Sequence, residues 1–103
     1  MIARMWRGWT SVDCADAYAS YVEETGIKGY RAITGNQGAW ILRRLQADRS
    51  EILTLSFWDS LDAIRGFAGD DVERAIFYPD DDRYLLDREL RVAHYDIQDI
   101  QPR

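Results

Sequence analysis

Cysteine is almost absent: Cys14 stands alone among 103 residues, so no internal disulfide and no cysteine-rich metal cluster is available. Histidine is equally scarce, with His94 the single example. Only two prolines and seven glycines are present, and no Pro/Gly/Ser linker, internal repeat or low-complexity tract divides the chain. No run of eighteen apolar residues occurs, which excludes a membrane-spanning helix. Arg4 and Arg7 interrupt the early apolar stretch, so the N-terminus does not read as a secretory signal. Basic residues number thirteen against eighteen acidic ones, a formal net charge of −5. A module that tracks nucleic-acid phosphates needs the opposite sign. Phosphate-binding glycine loops and Gly-x-Ser-x-Gly elbows are missing. Asp80-Asp81-Asp82 lacks the alternation and glycine of a calcium loop and reads as a solvated turn. His94 and Asp96 supply at most two metal ligands, so no metal is expected. What remains is one acidic, soluble domain over 1–97 with a tail over 98–103, most simply cytoplasmic.

Aromatic residues, by contrast, are abundant: four Trp, six Tyr and three Phe. Rings of this size fill cores, pockets and interfaces alike. Their setting follows from the pattern along the chain. A strand is expected over 2–9, then a helix capped by Ser11 or Asp13, striped by Val12, Ala15, Ala19 and Val22, and ended by Gly26. Strands over 30–34 and 39–46 are joined by Gly35-Asn36-Gln37-Gly38, and a third spans 51–58. Ser60 caps a helix carrying Leu61, Ile64 and Phe67, which Gly69 interrupts. Val72, Ala75 and Ile76 predict a further short helix, Pro79 to Asp82 a turn with helix through 84–86, and 90–97 the last strand. The order β-α-β-β-α-β, with one extra edge strand allowed, defines an α+β ferredoxin-like split βαβ fold with helices on one face of an antiparallel sheet.

The strands carry a second message. Leu53, Leu55 and Phe57 alternate with Ile52, Thr54, Ser56 and Trp58, and Trp40 and Leu42 alternate with Ile41 and Leu45. A sheet wetted on one side alternates apolar with strongly polar residues, and these strands do not. Helices cover one face only. A second copy of the chain is the simplest cover for the other, giving a homodimer.

Several motifs have a family counterpart: Arg4-Met5-Trp6-Arg7-Gly8, Thr25-Gly26-Ile27, Thr34-Gly35-Asn36-Gln37-Gly38, Leu55-Ser56-Phe57-Trp58-Asp59-Ser60 and Val92-Ala93-His94-Tyr95-Asp96. Together they resemble the antibiotic biosynthesis monooxygenase family of dimeric α+β barrels, over nearly the whole chain. The resemblance implies a cleft between helices and sheet that accepts a flat ring system. It also implies a cofactor-independent monooxygenase acting on a polycyclic phenol or quinone-type molecule, or else a non-catalytic small-molecule or haem-binding relative. The haem-degrading branch places an Asn, a Trp and a ligating His where this chain has Trp6, Phe67 and Phe77, which disfavours haem degradation.

Each candidate site residue has two readings. His94 titrates near neutrality and suits a general base removing a phenolic proton, or it packs structurally at a seam. The Tyr78 and Tyr84 hydroxyls orient a ring oxygen or staple a loop. Arg4 beside Trp6 holds an anionic substrate or pairs with a buried acid. Trp58, Phe67 and Phe77 form pocket wall or plain core.

Overall fold

The computed structural model describes residues 1–98; the expected tail, Gln98 apart, lies outside the described residues. Its centre is β1 (Ile2–Ser11), paired antiparallel along its full length with β3 (Arg49–Trp58). Beyond β3 lies β2 (Asn36–Gln46), and on the other side of β1 lie β4 (Leu85–Arg88) and β5 (Ala93–Asp96). The order β2-β3-β1-β4 is that of an antiparallel split βαβ sheet, so the expected α+β ferredoxin-like class describes the protomer.

The last strand departs from expectation. Instead of one strand over 90–97, β5 pairs with Ile2–Met5 and β4 with Gly8–Thr10, end to end along the same edge of β1. The break has local causes. Trp6 Nε1 donates to the Glu89 carbonyl at 2.7 Å, and residues 90–92 turn aside to pair with 73–75 through Ala75 N to Leu90 O and Val92 N to Glu73 O. These bonds also replace the short helix expected around Val72, Ala75 and Ile76: a turn at 72–73 leads into a single antiparallel bridge between Arg74 and Arg91.

The first helical run also differs. Neither Ser11 nor Asp13 caps it through a side chain; a 3₁₀ turn (Val12–Cys14) leads into α1 (Ala15–Val22). Gly26 does not end the run. A single π turn (Glu23–Ile27) carries it into α2 (Lys28–Arg31), with Thr25 Oγ1 donating to the Tyr21 carbonyl at 2.7 Å. Residues 30–34, expected as a strand, are therefore the helix end and its turn. Asn36 instead opens β2 at a bulge, its side chain holding Gly38 N at 3.0 Å while Gly35 and Gly38 take positive φ. α3 (Leu61–Ala68) begins as expected, with Ser60 accepting from Ala63 N, and Gly69 closes it at φ 80°. α4 (Asp81–Tyr84) is one turn.

The helices lie on the face of Ile2, Arg4, Trp6 and Gly8 of β1, opposite Trp58, Ser56, Thr54 and Ile52 of β3. With Tyr18, Val22, Ile27, Tyr30 and Ile64 these side chains form the core. The other face carries Met5, Trp40, Leu42, Leu53, Leu55 and Phe57, and Trp40 and Leu42 remain 49% and 46% exposed. No helix among the described residues is long and apolar enough to cross a membrane.

A candidate aromatic cleft between sheet and helices

Trp6 and Thr54 are the floor of a cleft on the helix-covered face. Gly8 makes room for the floor: a Cβ there would stand 2.6 Å from the Trp6 ring, so only glycine lets the indole lie flat along β1. Tyr18 and Val22 of α1, Thr25 and Gly26 of the π turn, and Tyr30 of α2 form one wall. Phe67 of α3 closes one side, while Ala75 to Tyr78, Asp81 and Val92 form the opposing wall. The cavity measures about 40 Å³. At this size it is a slot, and a ring-sized ligand requires its walls to part.

The 70–80 segment is tied at both ends. At one end the Arg4 guanidinium, 1% exposed, donates from Nη1 to Val72 O at 2.5 Å and from Nη2 to Arg74 O at 3.1 Å. At the other end Tyr18 donates its hydroxyl to Asp81 Oδ1 at 3.0 Å, Tyr78 N donates to Asp81 Oδ2 at 2.6 Å, and Asp80 N donates to the Tyr21 hydroxyl at 3.0 Å. Burial, then the Asp81 charge, pushes the Tyr18 phenol far above its ordinary range, so it stays protonated as a donor.

The structure brings Trp6, Phe67, Phe77 and Tyr78 together on the cleft and leaves Arg4, Trp58, Tyr84 and His94 outside its lining. Trp58 is fully buried, donates to Ser56 Oγ at 2.8 Å and meets Tyr30 edge-on. Tyr84 packs with Tyr18 and Tyr21, centroids 5.4 and 5.9 Å away. Arg4 pairs with no acid among the described residues: its remaining partners are Tyr30 Oη at 3.3 Å and His94 Nε2 at 3.0 Å.

The last contact bears directly on His94. Arginine only donates, so Nε2 is the acceptor and the proton of neutral His94 sits on Nδ1. Burial and then the Arg4 charge lower its pKa. A nitrogen already engaged by a guanidinium, behind the cleft wall, has no free lone pair for a cleft substrate. The geometry gives His94 the work of holding Arg4.

Asp81 corrects the reading of the acidic run as a solvated turn: it is 5% exposed and lines the cleft. Tyr18 and Tyr30 also line the cleft without being among the expected site residues, Tyr30 because it falls in an expected strand. Among the described residues no group of three or more His, Cys, Asp or Glu is placed to hold a metal ion.

Sheet order and cleft together define the class, a split βαβ protein with an aromatic slot between sheet and helices. A solved structure shares the fold: a protein from Bacillus cereus, named a putative antibiotic biosynthesis monooxygenase, superposes with a TM-score of 0.71 at 12% identity, covering 99% of this chain and 97% of that one. At that identity the likeness is one of fold, and it extends the resemblance read from the motifs to three dimensions. No family model matches the chain, and no curated protein matches it in sequence.

Proposed function

We propose that the chain is a homodimeric, cofactor-independent monooxygenase of the antibiotic biosynthesis monooxygenase type, oxidising a polycyclic phenol or quinone-type molecule in this cleft. The observation that carries the reading is the slot itself. Trp6, Phe67, Phe77 and Tyr78, with Tyr18 and Tyr30, line it with rings, a wall that suits an aromatic ligand. In an anthrone-type oxidation the substrate's own methylene supplies the electrons to dioxygen. One oxygen atom stays as the new carbonyl and the other leaves as water. The protein's part is to orient the ring, exclude water and stabilise the enolate that reacts.

The dimer rests on the open sheet face. Trp40 and Phe57 meet edge-on at 5.2 Å there, beside Leu42, Leu53, Leu55 and Met5, and a second copy removes this apolar surface from water.

A second reading, non-catalytic binding of an aromatic molecule, is favoured by one feature: the only histidine is engaged by Arg4 and does not line the cleft. The same feature argues against haem, since no imidazole faces the slot. Dioxygen uptake by the purified protein with a panel of anthrones separates the two readings. The monooxygenase predicts uptake above the buffer blank with quinone formed in equal amount. Saturable binding without uptake supports the second reading.

A further inference from the structure

Residues 72–78 run as a strap along the cleft. Ala75, Ile76, Phe77 and Tyr78 line it, and Phe77, edge-on to Trp6 at 6.1 Å, is also 36% exposed. Ile76 and Phe77 make no backbone hydrogen bond among the described residues, so the strap depends on its two ends. The far end is fixed through Asp81. Four bonds hold the near end: Ala75 N to Leu90 O at 3.2 Å, Val92 N to Glu73 O at 2.8 Å, and the two that Arg4 donates to Val72 O and Arg74 O.

Half of the near end therefore hangs on one guanidinium, and that guanidinium touches the only histidine. Arg4 Nη1 serves two acceptors at once, Val72 O at 2.5 Å and His94 Nε2 at 3.0 Å. A protonated imidazole carries a hydrogen on each nitrogen and accepts from neither. It also sets a second cation against one that is buried and has no acid partner among the described residues, where low dielectric leaves the repulsion strong. The backbone cannot part the two groups, because Arg4 and His94 are direct partners across β1 and β5. Nη1 must then withdraw, and its bond to Val72 goes with it. His94 is only half-buried, so a proton reaches it from solvent without crossing the core.

We propose that Arg4 and His94 form a proton-operated latch on this strap: neutral His94 keeps Arg4 on the strap and the cleft narrow, and protonated His94 releases it and lets the wall part for a ligand. The inference rests on the cleft being a ligand site and adds how access to it is regulated. The charges around His94 set the direction. Arg4 of β1 opposes the proton, while Glu73 of the strap favours it from a position where Arg91 holds it at 3.4 Å. Arg74 of the strap adds a further cation, Tyr30 of α2 stands on the far side of Arg4, and Asp96 shares the face of β5 with His94. Burial and the Arg4 charge together lower the pKa of His94, so the latch is closed at neutral pH and opens on acidification.

Amide exchange followed by NMR tests the latch with no ligand present. From about pH 7.5 to about pH 5, a span that crosses the ordinary histidine value, protection at Ala75 N and Val92 N should fall about tenfold once referred to intrinsic rates, the usual worth of one hydrogen bond from a charged donor. The β1–β3 ladder should keep its protection, which separates a released strap from general unfolding. His94→Gln still accepts from Arg4 but takes up no proton, and should keep both amides protected throughout. No fall in wild type, an equal fall in His94→Gln, or a matching fall in the ladder overturns the latch, and the wild-type series decides even if the variant lowers stability. The link to the cleft is read with the dimethyl ether of alizarin, a hydroxyanthraquinone, because the ether does not ionise in this range. Its association rate, by stopped-flow tryptophan fluorescence, should rise on acidification in step with the lost protection, and stay level in His94→Gln. A level rate in wild type overturns the control of access. An ether that binds at neither pH overturns the cleft reading, while the exchange experiment still decides whether Arg4 and His94 hold the strap.

Discussion

The two faces of the sheet invert the usual expectation. The face under the helices carries Arg4, Thr10, Ser50, Thr54 and Ser56, all buried, while the open face carries Trp40, Leu42, Leu53, Leu55 and Phe57. Polar side chains go inside only when each finds a partner, and no buried side-chain nitrogen or oxygen among the described residues lacks one. The helix face has bound its polar groups into a scaffold around a cleft. The open face is apolar around Leu42, Leu53, Leu55 and Phe57 and polar toward one end, where Arg44 pairs with Glu51 and Trp9 donates to Gln46. In the function proposed above, one face serves a small molecule and the other a second copy of the chain.

The comparison breaks most visibly if the open face is charged. Leu55→Asp places a carboxylate beside Met5 and Trp40, its cross-strand neighbours, at the centre of the proposed dimer seam. Light scattering at micromolar concentration should then show monomers where wild type shows dimers, while circular dichroism keeps the same content of helix and strand. A wild-type protein that is already monomeric would end the distinction between the faces.

On the helix face the largest effect should come from Arg4→Met. It leaves Val72 O, Arg74 O, Tyr30 Oη and His94 Nε2 without their donor, a loss of about 3–5 kcal/mol in urea unfolding if it follows other broken buried charges. A loss below about 1 kcal/mol would mean that water replaces the guanidinium and that the region is not closed.

A smaller effect is tied to pH. His94 has its pKa lowered in the folded chain, by burial and then by Arg4, from an ordinary value near 6.5. Below that value the unfolded chain takes up a proton that the folded chain resists. The contribution to stability is therefore complete above about pH 6.5 and is lost as pH falls toward the lowered pKa. His94→Gln, whose amide oxygen still accepts from Arg4, should flatten this part of the stability–pH curve. An unchanged slope would show that His94 does not differ between folded and unfolded states.

Sequence patterns carry the two faces unequally. β1 and β3 are long runs rich in apolar and aromatic residues, bounded by polar turns, and both ends of each lie within two residues of expectation; Ser60 marks the start of α3 because its side chain accepts from the amide three residues on. Gly26 misleads because glycine usually ends helices by taking a positive φ. Here the π turn absorbs it at helical φ, which moves Tyr30 from a supposed strand onto α2. That displacement hides part of the cleft wall. Asp81 is hidden for a different reason: three consecutive aspartates look solvated, and only tertiary contact with Tyr18 distinguishes the middle one. His94 is legible as a titratable group but not as a partner of Arg4, because ninety residues separate them in sequence and one β-ladder register joins them.

Gly26 also supplies the most direct test of the central claim, that the cleft is the ligand site. It lines the slot, its φ is not positive, and a Cβ built on it meets nothing within 4 Å. A Gly26→Phe side chain thus starts without a clash at its Cβ, on a residue that borders the cleft. Titration of wild type and Gly26→Phe with alizarin should show saturable binding by the wild type and its loss in the variant, at an unchanged or slightly raised melting temperature. Equal affinity for both proteins would contradict the account.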